Sequence, residues 1–192
     1  MKYETIAKLL TMFIVSKKKR KEIRSKLIVY LYCRKYCPQI LKNAKKIGTH
    51  FWCRSPSTCT PNTYIGNDVS FNGMRMEGDG KVVFGNHVHT GTECLIITRS
   101  HNYEGTEIPY DSTHIYKDIL IADFVWIGSR VTILPGTEIG EGAIIQGGSV
   151  VHGKIPPYAI AGGNPATVFK YRNKEHFLQL KAQKKYHFPD DD

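Results

Sequence analysis

The sequence predicts an all-β prism of short parallel strands wound into a coil, with helices before and after it. Three observations predict it. Aliphatic residues recur every sixth position at Ile121, Ile127, Ile133, Ile139, Ile145 and Val151. Four places after each stands a residue that is mostly small or β-branched: Val125, Val131, Thr137, Ala143, Ser149 and Ile155. Glycine recurs beside these positions, at 128, 136, 140, 142, 147 and 148. Neither a helical period of 3.6 nor a strand period of 2 accounts for such a run. A six-residue unit fits one short strand and a tight turn, and three units close a triangular coil. Each coil then stacks on the last at the inter-strand spacing of about 4.8 Å. The aliphatic residue points inward, the small residue sits near a corner, and glycine supplies turns with positive φ.

The chain of 192 residues, 41% hydrophobic and 23% charged, has the composition of one soluble domain with an appendage. No apolar run is long enough for a membrane span. The most apolar stretch, residues 9–15, is too short for the core of a typical signal peptide and lacks a small-residue cleavage site. Residues 1–50 carry 14 Lys/Arg against 2 Asp/Glu, a balance of +12, whereas residues 51–192 carry 13 against 15. Such a block suits an anionic lipid surface or a polyanion, or is a solvated helix face. The run 17–24 (KKKRKEIR) has no interleaved aromatics and no recognition motif, so no nucleic-acid partner is expected. Five cysteines, at 33, 37, 53, 59 and 94, form no paired CxxC pattern and read as free thiols in a reducing compartment.

From the N-terminus, residues 3–15 and 21–46 read as helices, with Ile6, Leu9, Leu10 and Phe13, then Ile23, Leu27 and Leu31, as their apolar positions. Pro38 should kink or end the second. A looser form of the repeat follows at Ile65–Val69, Phe84–Val88, Thr90–Cys94 and Ile96. Ile65 and Phe84 are one residue further apart than a coil requires, which predicts a bulge near Gly78–Gly80. Residues 99–118 then break the period as an insertion. After the strict half, Gly162-Gly163-Asn164-Pro165 reads as the exit turn, and residues 173–186 as a helix with Asn173 as its N-cap. Phe177 and Leu180 share one face of that helix, which would cap the open end of the prism. The expected division is residues 1–50 as a basic helical extension, 51–165 as the prism and 166–192 as a helical tail.

A solenoid wall is repetitive, so chemistry is expected where it is interrupted. The insertion holds His101, Gly105 and Pro109 in a His-x3-Gly-x3-Pro spacing. With the strict repeat and the stretch from Trp126 to Arg172, it resembles the hexapeptide-repeat acetyltransferases, notably those acting on xenobiotics and sugars. The resemblance implies a left-handed parallel β-helix, acetyl-CoA as donor and His101 as general base. An imidazole titrating near pH 6.5 suits that role. Glu104, Glu107, Asp111 or a backbone carbonyl could orient its ring. By position in the family, Ser129, Gly147 and His152 imply contacts to coenzyme A, with Lys170 toward its 3′-phosphate. The family commonly has a Thr-Lys pair where this chain has His152-Gly153, with Lys154 one step later. Asn72 and Trp126 are implied near the acceptor.

The resemblance also implies a homotrimer with active sites between subunits, and no metal requirement. The expected function is O-acetylation of a sugar hydroxyl in surface polysaccharide or lipopolysaccharide biosynthesis. The expected location is the cytoplasm, with peripheral contact at the inner face of the membrane through residues 1–50. The alternatives are a xenobiotic acetyltransferase with the same chemistry, a zinc hydratase on the same prism using His87 and His89, and a non-catalytic structural prism.

Overall fold

The structure is a computed structural model and describes residues 2–12 and 16–187. Phe13, assigned above to the first helix, lies outside them. The N-terminal elements are α1 (Lys2–Leu10), α2 (Lys17–Tyr36) and α3 (Pro38–Asn43). Ser16 caps α2 by accepting a hydrogen bond from the Lys19 backbone N–H at 3.5 Å, so the basic run starts the helix rather than preceding it. Pro38 ends α2 and occupies the first turn of α3, where its missing N–H costs nothing.

The first three coils run through β1 (Lys46–Ile47), β2 (Trp52–Cys53), β3 (Thr63–Ile65), β4 (Ser70–Glu77), β5 (Val82–Phe84) and β6 (His89–Ile97). A two-stranded insertion follows, β7 (Arg99–His101) and β8 (His114–Tyr116). The strict half comprises β9 (Ile119–Ile121), β10 (Trp126–Ile127), β11 (Thr132–Ile133), β12 (Glu138–Ile139), β13 (Ile144–Ile145), β14 (Val150–Val151) and β15 (Lys154–Ile155). The chain leaves through β16 (Ala159–Gly163), β17 (Ala166–Tyr171) and α4 (Lys174–Ala182).

Strand pairing divides the prism into three faces. Face A stacks β1, β3, β5, β9, β12 and β15 in parallel. Face B stacks β2, the start of β4, the start of β6, β10, β13 and β16. Face C stacks the ends of β4 and β6 with β11 and β14. All the aliphatic repeat positions and the positions four residues after them are buried, as the period requires. Fully burying each isoleucine contributes about 1.5–3 kcal/mol.

The irregular coil is more compensated than its length suggests. The register Tyr64↔Val83, Ser70↔His89 and Arg75↔Leu95 makes the corner after Ser70 one residue short. The next corner, through Gly78 and Gly80, is two residues long, so the predicted bulge is real but has a partner. Gly73 and Gly78, at φ +94° and +89°, turn these two corners.

The ends of the prism depart from expectation. Cys33 of α2, Cys37 between the helices and Ile40 of α3 pack with Phe51, Cys53 and Cys59 and cover the N-terminal end of the core. All five cysteines are buried free thiols. The C-terminal helix instead lies along the corner between faces A and B. There Phe177 packs on Phe124 and Tyr158, against Gly142, whose missing side chain leaves room for the ring. Lys181 pairs with Glu141 at the same corner. Asn173 caps α4 as predicted, accepting from the His176 N–H at 2.8 Å.

Candidate active site

The insertion leaves the prism at the corner between faces C and A as an antiparallel hairpin, with His101 opposite His114. Its base is closed by the prism's own backbone: the Lys117 N–H donates to the Thr98 carbonyl at 2.9 Å, and the Ile119 N–H to the Lys81 carbonyl at 2.8 Å. The His101 ring is exposed and stacks on Tyr110, centroids 3.8 Å apart, with the His114 ring at 4.8 Å. Among the described residues none hydrogen-bonds to that ring, so Glu104, Glu107 and Asp111 do not orient it within one chain. Asp111 braces the loop instead. It accepts from the Thr106 N–H at 3.0 Å, and from the Thr113 N–H at 2.9 Å and hydroxyl at 2.5 Å. These bonds hold its carboxyl below the usual carboxylate range, the Thr113 hydroxyl contributing most. Gly105 lies so close to that carboxylate that a Cβ would fall 2.1 Å from Oδ2, which explains the glycine of the motif.

The acceptor candidates Asn72 and Trp126 meet in a cavity of about 370 Å³ on face B. Trp52, Arg54, Ser70, His89 and, from the C-terminal tail, His187 help to line it. Ser70 Oγ is 2.8 Å from His89 Nδ1. Burial, then the neighbouring His187 and His87 rings, depress His89 to a pKa of about 4, although Asp68 works against them. His89 is therefore neutral at physiological pH. A second cavity of about 220 Å³, under α4, shares His89, Trp126 and His187 with the first. Among the described residues, the buried side-chain polar atoms without a hydrogen-bond partner are Trp52 Nε1, Thr90 Oγ1, His87 Nδ1 and Arg172 Nε. All belong to residues lining one or other of these cavities. Unpaired buried polar groups cost about 1–3 kcal/mol each, so these are a local cost to stability; His87 Nδ1 also lies 3.6 Å from the Asp68 carboxylate.

His101 and this cavity do not meet within one chain. The hairpin emerges at the corner opposite face B, and the core separates the two. Of the coenzyme candidates, Ser129 and Gly147 share the corner between faces B and C. A Cβ on Gly147 would lie 3.1 Å from the Ser129 carbonyl oxygen, while one on Gly128 would lie 2.5 Å from the Gly147 nitrogen. Gly128 is thus the stricter requirement. The Ser129 hydroxyl also accepts from the Thr92 N–H at 3.1 Å. His152 stands on the corner that carries the hairpin, and Lys170 on β17 opposite Ile160, so the structure does not gather these four residues. Lys154 is committed to Glu138 at 3.0 Å across face A.

His87 and His89 both line the cavity under α4 but come from different backbone settings. His87 turns a corner at φ 54° and stacks on Phe124 at 4.7 Å, whereas His89 begins β6. Among the described residues no group of three or more His, Cys, Asp or Glu is arranged for a metal.

The family model described as bacterial transferase hexapeptide (six repeats) matches residues 118–153. WbbJ of Escherichia coli (strain K12), provisionally named a lipopolysaccharide biosynthesis O-acetyl transferase, is 31% identical over 158 residues. That match covers 62% of this chain and 81% of WbbJ. The chain belongs to the hexapeptide-repeat acetyltransferase family. The residues matched by the family model are the strict half of the coil, with its corner glycines. YvoF of Bacillus subtilis (strain 168), provisionally named an acetyltransferase, is 34% identical over 120 residues, 61% of this chain and 64% of YvoF. The hexapeptide-repeat acetyltransferase VCA0836 of Vibrio cholerae, solved with acetyl coenzyme A, shares the fold at a TM-score of 0.60 and 22% identity. That alignment covers 88% of this chain and 85% of VCA0836.

The residues of the face B cavity that sequence reasoning missed are Trp52, Arg54 and Ser70, and His89 was read only as a candidate metal ligand. Trp52, Ser70, His89 and Trp126 form one column across face B, each just before an inward residue: Cys53, Phe71, Thr90 and Ile127. The phase of the repeat carried that signal, and the short corner after Ser70 obscured it.

Proposed function

We propose that this protein is an acetyl-CoA-dependent O-acetyltransferase that acts on a sugar hydroxyl in surface polysaccharide or lipopolysaccharide biosynthesis. The observation that carries the reading is His101, exposed on a hairpin that interrupts a coil of this family. Similarity to WbbJ over most of that protein's length supports the polysaccharide setting. His101 removes the acceptor hydroxyl proton, and the oxygen attacks the thioester carbonyl. The new C–O bond forms, the C–S bond breaks, and the proton passes from the imidazole to the departing thiolate as coenzyme A leaves. The opposed placement of His101 and the face B cavity supports a homotrimer in which the hairpin of one subunit serves the cavity of the next. Ser129 and Gly147 would receive the pantetheine chain along their shared corner, and Asn72 and Trp126 the acceptor.

Stabilisation by acetyl-CoA in a thermal melt, followed by acetyl transfer to sugars that His101→Ala loses while still binding acetyl-CoA, is the expected result. Turnover of chloramphenicol or a streptogramin with no sugar turnover would replace the acceptor class. A monomer in sedimentation that retains activity would overturn the shared site.

Peripheral membrane contact is part of the same reading. Leu9, Leu10 and Met12 are exposed, and the basic helix α2 follows them in the chain, a combination that suits an interfacial anchor. Among the described residues no helix is long and apolar enough to cross a membrane. Because α2 and α3 cover the core, substitution tests this better than truncation. Leu9→Ser/Leu10→Ser should reduce sedimentation with anionic liposomes, and equal binding would remove the membrane from the account.

A further inference from the structure

The face B cavity adjoins a larger, basic cleft. That cleft, about 740 Å³, lies between α1, α2 and the first coil, and shares Trp52 and Arg54 with the cavity. Lys8, Lys21, Arg24 and Arg54 line it, with Glu4 as the carboxylate among the lining residues. Its wall is aromatic: Tyr32 stacks between Trp52 at 5.8 Å and Tyr36 at 5.7 Å, and the Arg54 guanidinium sits 5.4 Å from the Trp52 ring.

Lys17, Lys18 and Lys19, at the start of the same helix, stand exposed and are ordinary solvated charges. Lys8, Lys21 and Arg54 are exposed as well, but with Arg24 they line one concavity against the carboxylate of Glu4, so its potential favours an anion. A neutral sugar needs an aromatic plate and a few hydrogen-bonding groups. The face B cavity supplies both through Trp126, Asn72, Ser70 and His89. It has no use for the cations of the adjoining cleft. A sugar bonded to phosphate uses both compartments at once.

We propose that the acceptor is a phosphate-linked glycosyl unit, its sugar in the face B cavity and its phosphate or diphosphate in the basic cleft. This rests on the acetyltransferase reading and names its substrate class. The phosphate linkage is not broken; it anchors the sugar while a hydroxyl is acetylated. Trp52 and Arg54 form the shared wall and set the distance between the two groups.

The test uses the full chain and inorganic pyrophosphate as probe, followed by titration calorimetry. Pyrophosphate should bind, and Lys21→Glu/Arg24→Glu should weaken it at least tenfold without lowering the melting temperature. UDP-glucose should bind at least tenfold more tightly than glucose. Trp126→Ala, at an exposed position, should weaken UDP-glucose but leave pyrophosphate unchanged. The two sources of the phosphate separate in a further arm. Preference for UDP-glucose supports a nucleotide-linked acceptor, and preferential retention on phosphatidylcholine vesicles carrying undecaprenyl phosphate supports a lipid-linked one. No pyrophosphate binding, with acetyl-CoA stabilisation intact, overturns this inference alone. Loss of acetyl-CoA binding in Lys21→Glu/Arg24→Glu also overturns it, because the cleft would then hold the donor's phosphates. Failure of the wild type to bind acetyl-CoA overturns the reading beneath it.

Discussion

The two halves of the prism obey the same geometry with different strictness. From Ile119 to Val151 the coil keeps its phase through successive strands, only the turn into β15 being two residues short, and its outward positions hold ordinary surface groups such as the Glu138–Lys154 pair. From Lys46 to Ile97 the phase slips twice, and both cavities on face B draw on this half. Among the described residues, three of the four buried side-chain polar atoms without a hydrogen-bond partner belong to it, at Trp52, His87 and Thr90. The strict half is a wall whose residues are chosen by stacking. The loose half relinquishes some of that regularity, and its indole, imidazole and hydroxyl groups face a space the protein leaves open. In such a fold, departures from the repeat locate the chemistry better than the repeat itself.

The largest effect should come from the hairpin between the halves. His101→Ala is expected to lower acetyl transfer by about 10²–10⁴-fold, with the melting temperature unchanged because the ring is exposed. An unchanged rate would place the base elsewhere, with neutral His89 on face B as the next candidate.

The strict half should reveal itself as scaffold. Ile133→Ala, at a fully buried position, should destabilise by about 2–5 kcal/mol in denaturant unfolding. Trp126→Ala, at 55% exposure, should cost less than about 1 kcal/mol. If the two losses were equal, the tryptophan would be a packing residue and the contrast between the halves would weaken.

A pH effect should follow from the loose half. His89 stays neutral in the folded protein down to about pH 4, whereas an unfolded histidine takes up its proton near pH 6.5. Between these values the unfolded chain binds more protons, so stability falls as pH drops from 6.5 toward 4. His89→Gln should flatten that part of the wild-type stability curve. An identical slope in both proteins would mean that His89 does not titrate as its burial dictates.

The smallest effect should be on the outside of the strict half. Lys154→Gln breaks the exposed pair with Glu138 and should change stability by less than about 1 kcal/mol, measured in parallel with Ile133→Ala.

Much of this molecule is legible in the sequence, for identifiable reasons. A buried column needs an aliphatic side chain at every sixth position, so Ile121 through Val151 announce the coil directly. The insertion is equally plain because it stops that rhythm, and Pro38 and Asn173 mark helix boundaries through local backbone chemistry. What stays hidden depends on pairing across coils. The short corner after Ser70 and the long one through Gly78 almost cancel in the sequence, leaving a single extra residue visible. The column from Trp52 to Trp126 emerges only once the register is known. Nor does the sequence show where α4 lies: Phe177 and Leu180 mark an apolar face, but Gly142 and Phe124 decide what receives it.

The closed base of the hairpin has an evolutionary consequence. Thr98 and Ile119 stay in register with their coils while a long segment projects between them, and the backbone bonds at Lys117 and Ile119 fasten its root. The strands above and below register no change in length. The reactive hairpin is therefore a cassette: its sequence can drift, lengthen or be exchanged while selection on the stacked coils stays constant.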